Sequence, residues 1–469
     1  MLFSSISFLY LFLPVTILLY FLAGLIDKRA KNPVLLLASL LFYAWGEPRY
    51  VLIMLAEIIF GYIFGILIEK HQGKAPGKWF LGASLVIDLG LLGYFKYVDF
   101  FIAAFGQVTG IPVKILGVAL PIGISFYTFQ IISYCVDVYW GNVKAQRNFI
   151  TLATYVAMFP QLIAGPIVRY IDIEKQLMKR EHSFEKAALG VRRFVLGLGK
   201  KVLIANVLGE LCNTFRQTQD ASVLYFWLYA VAFTLHIYFD FSGYSDMAIG
   251  LGKIFGFDFL ENFNYPYISK SIAEFWRRWH MSLGRWFRDY VYIPLGGNRV
   301  SAIKWLRNIL IVWFLTGFWH GAAWNFIAWG LYYGVLLLLE KPILKKVPAV
   351  VGHVYVLLLT LFGFVLFNAD NMSRALWDVA GMFGFSEDGR LPLISGEAVY
   401  YLKSYFWVFV IGFLGATPLP RRLFEKLVQK KHLGQLLTVV EPLLLLLLVL
   451  VVTAYLVDGS FNPFLYFRF

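Results

Sequence analysis

The sequence predicts an all-α integral membrane protein, on three observations. Of its 469 residues, 59% are hydrophobic and 19% aromatic while only 15% are charged, which is more apolar than a soluble chain of this length. The apolar residues recur in runs near the ~20 residues that a helix needs to cross ~30 Å of hydrocarbon. The basic residues, which give a net charge of +14, fall in short clusters between those runs, where they orient a chain across a membrane. No nucleic-acid partner is expected; the partner that the composition demands is a lipid bilayer. Cys135 and Cys212 form no spaced pair, so neither a metal site nor a disulfide framework is read.

The elements follow in order. Residues 7–26 form an apolar run followed by Asp27, Lys28, Arg29 and Lys31. Charge after the run and none before it predicts a retained first helix, with the N-terminus outside and residues 27–32 in the cytoplasm. Residues 34–45 are short for a span, residues 50–68 are long enough, and the basic loop 69–78 returns the chain to the cytoplasm. Residues 79–95 cross outward and 115–139 cross back; Asp88 and Asp137 in these runs are expected to pair with basic groups. Residues 149–169 are interrupted by Pro160 and by Gly165-Pro166. Proline removes a backbone donor, and such a break survives at membrane depth only under cover of protein or a water-filled cavity, so a broken or re-entrant element lining a central cavity is predicted.

Residues 184–211 begin amphipathic and then become apolar. Residues 224–252 carry His236, Asp240, Ser242, Tyr244, Ser245 and Asp246, too polar a set for a lipid-facing helix. They read as the wall of a substrate passage or as a buried hydrogen-bonded network. His236 and Asp240 share a face at i,i+4, which Asp246 does not join. Residues 253–304 form a long cytoplasmic segment. Pairs of runs at 303–319 and 322–339, then 354–367, 401–416 and 436–457, bring the count to about eleven or twelve spans. The chain reads as one polytopic domain: N-terminal spans at 1–140, a core at 141–340 and C-terminal spans at 341–469.

The stretch from residue 262 to 321 carries the chemistry. Trp276, Arg277, Arg278, Trp279, His280, Trp286, Phe287 and Arg288 fall within thirteen positions, which suits a helix lying among lipid headgroups. His320 stands at the edge of a hydrophobic run. An ionisable ring there costs free energy unless it faces protein or water, so its default reading is functional; the plain alternative is a hydrogen bond to a neighbouring helix. His280, 40 residues earlier, is expected at the cytoplasmic interface, with His320 deeper and toward the outer half. Gly296-Gly297-Asn298-Arg299 marks a turn without the lysine or spacing of a phosphate-cradling loop. No serine stands in a nucleophile-elbow context.

FWRRWHMSLGRWFRDYVYIPLGGNR (275–299) and FWHGAAWNFIAWGLYYG (318–334) resemble the signature region of the membrane-bound O-acyltransferase superfamily, and most closely its bacterial branch of alginate O-acetyltransferase-like, polysaccharide-acetylating proteins. PQLIAGPIVRY (160–170) and DFSGYSDMAIG (240–250) resemble that branch too, as does the closing NPFLYFRF. The resemblance implies a ring of tilted helices around a central tunnel open to both faces. It also implies an O-acyltransferase moving acetyl from a cytosolic thioester, acetyl-CoA or an acyl-carrier protein, toward hydroxyls of an extracytoplasmic polysaccharide or to a separate exported acetyltransferase. No bound cofactor is implied.

Acyl transfer to a hydroxyl needs a base, and an imidazole in hydrogen-bond reach contributes roughly 10²–10⁴ in rate. His320 is assigned that role. His280 matches the superfamily's second signature position and is expected to orient substrate or stabilise the oxyanion. Arg277, Arg278, Arg285 and Arg288, with Trp279, are expected at the donor's anionic end, unless they only meet anionic lipid; Asp240 and Asp246 are expected in the passage wall. Three other readings stay open: D-alanyl transfer to teichoic acid from a carrier protein, a transporter built on broken helices, and a scaffold without chemistry.

Overall fold

Helices dominate the computed structural model, which describes all residues except 164, 218–220, 344–346, 387–388, 460–461 and 463–469. The basic cluster Lys341, Lys345 and Lys346 reads from the sequence as a return to the cytoplasm; Lys345 and Lys346, and all but the first residue of the closing NPFLYFRF motif, lie outside the described residues. By internal packing the chain divides into two units, residues 1–194 with 245–261, and residues 195–244 with 262–469. The expected core at 141–340 is shared between them.

In the first unit, a π-helical turn Phe8–Phe12 leads into α1 (Leu13–Ile26), followed by α2 (Lys31–Gly46), α3 (Val51–Lys70), α4 (Ala75–Leu92), α5 (Val98–Thr109) and α6 (Ile124–Trp140). Helices α3, α4 and α6 pack on one another, and α1 packs on α2. The run expected to cross at 115–139 becomes helical only at Ile124, because Gly117 is left-handed (φ 69°) and Pro121 follows close behind it. Asp88 meets no basic group among the described residues; its Oδ2 accepts from the Ser84 hydroxyl at 3.2 Å, so the expected ion pair is replaced by a hydroxyl contact. Asp137 accepts from Asn142 Nδ2 at 3.0 Å.

The predicted broken element is present. Helix α7 (Phe149–Ala157) stops at Met158, α8 (Phe159–Leu162) follows with Pro160 in its first turn, and the chain becomes helical again at α9 (Tyr170–Met178). Side chains take up the backbone groups that the break releases: Phe159 N–H donates to Ser39 Oγ at 3.0 Å, and Tyr155 O–H donates to the Val168 carbonyl at 3.1 Å. Helix α10 (Phe184–Gly199), a π-helical stretch Lys200–Asn206, α11 (Val207–Gln217) and the 32-residue α12 (Val223–Ile254) complete the first half of the chain.

In the second unit, the segment after α12 forms α13 (Ile272–Arg278) and α14 (Met281–Phe287), then α15 (Ala302–His320), α16 (Trp324–Ile343), α17 (Ala349–Asn368), α18 (Met372–Met382), α19 (Gly396–Ser404), α20 (Phe406–Gly415), α21 (Leu419–Val428) and α22 (Lys431–Asp458). One two-stranded ribbon pairs Phe385 with Arg390.

Among the described residues, five helices are long and apolar enough to cross a membrane: Phe8–Ile26, Val51–Lys70, Val223–Ile254, Ala349–Asn368 and His432–Asp458. Helices α19 and α20, bent by 58° at Tyr405, pass the same test when taken together as one broken span. This is fewer than the eleven or twelve apolar runs. The 16 residues of α2 and 17 of α6 reach only about 25 Å at 1.5 Å per residue, and other runs are divided by breaks.

Candidate active site

The position of His320 follows from a close helix crossing. Helices α15 and α16 approach at Gly317 and Gly330, where a Cβ on Gly317 would collide with the Phe326 carbonyl oxygen and one on Gly330 with that of Trp313. One turn beyond Gly317, α15 ends at His320 as Gly321 turns extended. The His320 ring is 6% exposed and sits among Trp319 and Trp329, each with centroids at 5.0 Å, and Phe367 at 5.4 Å.

His280 lies in the break between α13 and α14, in a left-handed conformation (φ 44°, ψ 51°) that costs a side-chain-bearing residue about 1–2 kcal/mol. Segment 262–264 holds the break: Met281 N–H donates to the Asn262 carbonyl at 3.0 Å, and Asn264 N–H to the Arg278 carbonyl at 2.9 Å. The Glu340 carboxylate accepts the Ile272 and Ala273 N–H groups and fixes the start of α13. His280 is 2% exposed, with its ring edge-on to Phe241 at 4.6 Å. The expected headgroup helix is therefore corrected to two seven-residue helices folded inward. Their aromatic residues face protein, and Trp279 packs against Phe263, Phe275 and Phe364 within 5.6 Å.

Asn262 fixes the protonation pattern of His280. Its Oδ1 accepts from the Ser282 backbone N–H at 3.2 Å and the Ser282 hydroxyl at 2.9 Å. A backbone N–H can only donate, so the atom at this position is the amide oxygen, and His280 Nδ1, 3.3 Å away, must be the protonated nitrogen. The lone pair is left on Nε2. Burial pushes the His280 pKa down to about 3, so the ring is neutral at physiological pH.

The two imidazoles meet, with ring centroids 6.4 Å apart. The expected separation of an interfacial His280 from a deeper His320 is thus corrected, because the pairing of 262–264 with the α13–α14 break carries His280 into the protein. Asp240 forms a buried ion pair with Lys201 at 2.5 Å, both side chains at most 2% exposed, and His236 Nδ1 lies 2.7 Å from the Ala205 carbonyl. The shared i,i+4 face of α12 therefore docks on the π-helical stretch Lys200–Asn206. Asp246, in the first unit, pairs with Arg193 at 2.8 Å, and Glu261 joins the same guanidinium. Arg278 is held by Glu274 at 2.9 Å and Arg288 by Asp289 at 2.7 Å; Arg285 is half-buried and Arg277 exposed. Sequence reasoning missed Asn262, Lys201, Trp329 and Phe367. Only Lys201, a cation in an apolar run, carried a signal.

A protein from Pseudomonas aeruginosa named "Probable alginate O-acetylase" is 43% identical over 88% of this chain and 81% of its own length. The profile of the membrane-bound O-acyltransferase family matches residues 144–351. This chain belongs to the membrane-bound O-acyltransferase family. A peptidoglycan O-acetyltransferase of Helicobacter pylori is 35% identical over 86% of the chain and 83% of its own length, and a teichoic acid D-alanyltransferase of Bacillus subtilis is 33% identical over 46% of the chain and 58% of its own length. As a family member the chain is a multi-pass membrane O-acyltransferase, and its family-matched segment contains both histidines.

Proposed function

We infer that this O-acyltransferase moves acetyl from a cytosolic thioester to hydroxyls of a polysaccharide outside the cytoplasm, working in the cytoplasmic membrane, with His320 as general base. The observation that carries this reading is the approach of the buried His280 and His320 to 6.4 Å among aromatic rings. In the reaction, His320 takes the proton of the acceptor hydroxyl while its oxygen bonds to the thioester carbonyl carbon. The tetrahedral intermediate then collapses to the ester, the C–S bond breaks, and the proton passes to the leaving thiolate.

The tautomer of His280 supports an orienting role over oxyanion stabilisation. A neutral ring with its proton spent on Asn262 presents Nε2 as an acceptor, which can hold a hydroxyl hydrogen but has nothing to donate to an oxyanion. Glu274 and Asp289 engage Arg278 and Arg288, and the exposed Arg277 is placed to meet the donor's phosphates. The alginate and peptidoglycan relatives favour acetyl over D-alanyl transfer, since they align over far more of the chain than the teichoic acid relative does.

The test is transfer of labelled acetyl from acetyl-CoA by purified protein in proteoliposomes, with wild type compared to His320→Ala. Wild-type labelling of an acceptor polymer, or release of acetyl on the far side to an exported transferase, is expected, and loss in the variant. An active His320→Ala protein refutes the assignment of the base; an inactive wild type moves the donor to an acyl-carrier protein.

A further inference from the structure

In the first unit, three segments distant in sequence bring Lys31, Arg180 and His182 together over aromatic rings. Lys31 Nζ lies 5.3 Å from the Tyr20 ring centroid and 5.8 Å from that of Phe21. The Arg180 guanidinium lies over Phe257 at 4.6 Å and over the same Tyr20 ring at 5.6 Å. Lys31 Nζ is 3.4 Å from His182 Nδ1. Tyr20 donates its hydroxyl to the Phe255 carbonyl at 2.8 Å, so its oxygen accepts from His182 Nε2 at 3.1 Å. His182 is thereby neutral, with Nδ1 accepting from Lys31.

Two features are built rather than incidental. Gly24 leaves open the space through which the Lys31 side chain runs, and a Cβ there would collide with Lys31 Cε. Gly256, left-handed at φ 88°, brings its backbone against His182 and Arg180, with a Cβ position only 3.0 Å from the imidazole.

No carboxylate forms an ion pair with any of the three among the described residues. Arg180 spends Nη2 on Asn32 Oδ1, while its Nη1 is buried without a hydrogen-bond partner. An orphaned charged donor in a buried position is costly, and two cations sharing one aromatic ring repel each other. An anion bridging Arg180 Nη1 and Lys31 Nζ removes both costs. The electrostatics agree: burial and the mutual repulsion of these cations lower the Lys31 pKa, and burial with Lys31, Arg180 and Lys186 pushes His182 down to about 4.

We propose that Lys31 and Arg180, within the first unit, form a phosphate-binding site that takes either the phosphate of a lipid headgroup or a soluble phosphate. Basic side chains over aromatic rings, beside the basic turn that follows α1, suit both sources.

The experiment measures binding of dioleoylphosphatidylglycerol, dioleoylphosphatidylcholine and inorganic phosphate to wild type, Lys31→Gln, Arg180→Gln and Lys31→Arg in neutral detergent, by native mass spectrometry for the lipids and calorimetry for phosphate. Matched melting temperatures establish folding, and Lys31→Arg, which keeps the charge, retains binding. If the anionic lipid binds in preference to phosphatidylcholine and each Gln variant binds it at least tenfold more weakly, the site takes a headgroup. If inorganic phosphate binds and shows the same loss, the source is soluble. Wild type that binds neither probe, or folded Gln variants that match wild type with both, overturns the proposal. Acetyl transfer measured on the same samples separates this result from the fate of the acyltransferase reading.

Discussion

A double-mutant cycle on His280 and His320 tests whether they act on one transition state. Asparagine is the substitution to use, because it tolerates the left-handed backbone at position 280 and so separates loss of the imidazole from loss of the turn. Removal of a general acid–base group costs roughly 10²–10⁴ in rate, or about 3–5 kcal/mol of transition-state stabilisation. With ring centroids 6.4 Å apart, the two residues are closer than the ~7–10 Å beyond which effects add independently. If each single variant loses about 10³, independent action predicts about 10⁶ for the double variant, whereas shared action predicts about 10³–10⁴, a coupling of about 3–4 kcal/mol. The assay is the initial rate of labelled acetyl transfer in proteoliposomes, at matched expression and melting temperature. A double variant that loses the full product of the two single losses, or either single variant at the wild-type rate, refutes the shared site.

Three further outcomes are expected. Gly317→Ala drives a methyl into the Phe326 carbonyl and separates α15 from α16, so thermal unfolding should show a loss at or above the ~1–3 kcal/mol of ordinary overpacking, with activity lost as His320 moves. Breaking the Lys201–Asp240 pair from one side, by Lys201→Met or Asp240→Asn, should cost about 3–5 kcal/mol in denaturant unfolding, and replacing both by apolar residues should recover most of it; single costs below ~1 kcal/mol would mean that the pair is solvated. His280 is neutral when folded, with a pKa of about 3, while the unfolded residue takes up a proton below about 6.5. Stability is therefore fully present above pH 6.5 and falls as pH drops from there toward 3, by up to ~1.4 kcal/mol per pH unit. Pulse proteolysis across pH 7 to 5 should show that slope in wild type and not in His280→Asn.

The sequence made some of this legible and left the rest to tertiary contacts. The break at Pro160 could be read because proline acts on its own backbone, and the i,i+4 face of His236 and Asp240 because helical spacing is local. The aromatic and basic segment could not. Trp276, Trp279 and Trp286 have the same composition whether they meet headgroups or protein, and the choice is made by the Asn262 hydrogen bonds from outside the segment. Helix boundaries were hidden for a related reason, since apolar runs do not show where a helix ends. Residues 115–123 are apolar in the main but not helical, with left-handed Gly117 and Gly123, and α6 begins only after Gly123.

The turn at His280 is hard to explain as a device for stability. Left-handed backbone costs about 1–2 kcal/mol there, and burial of the ring forgoes its hydration. The hydrogen bonds at Asn262 Oδ1, each worth about 1 kcal/mol, roughly offset that cost without a clear surplus. A glycine at position 280 would relieve the strain, and a continuous helix from Ile272 to Phe287 would avoid it. What the turn achieves instead is directional: it places a neutral imidazole beside His320, fixes which nitrogen carries the proton, and surrounds both rings with aromatic side chains that exclude water. Strain held in place by dedicated hydrogen bonds is the pattern expected where geometry serves chemistry. It is also why the effects of His280→Asn on rate and on stability should differ in sign or size, with activity lost while the fold is kept.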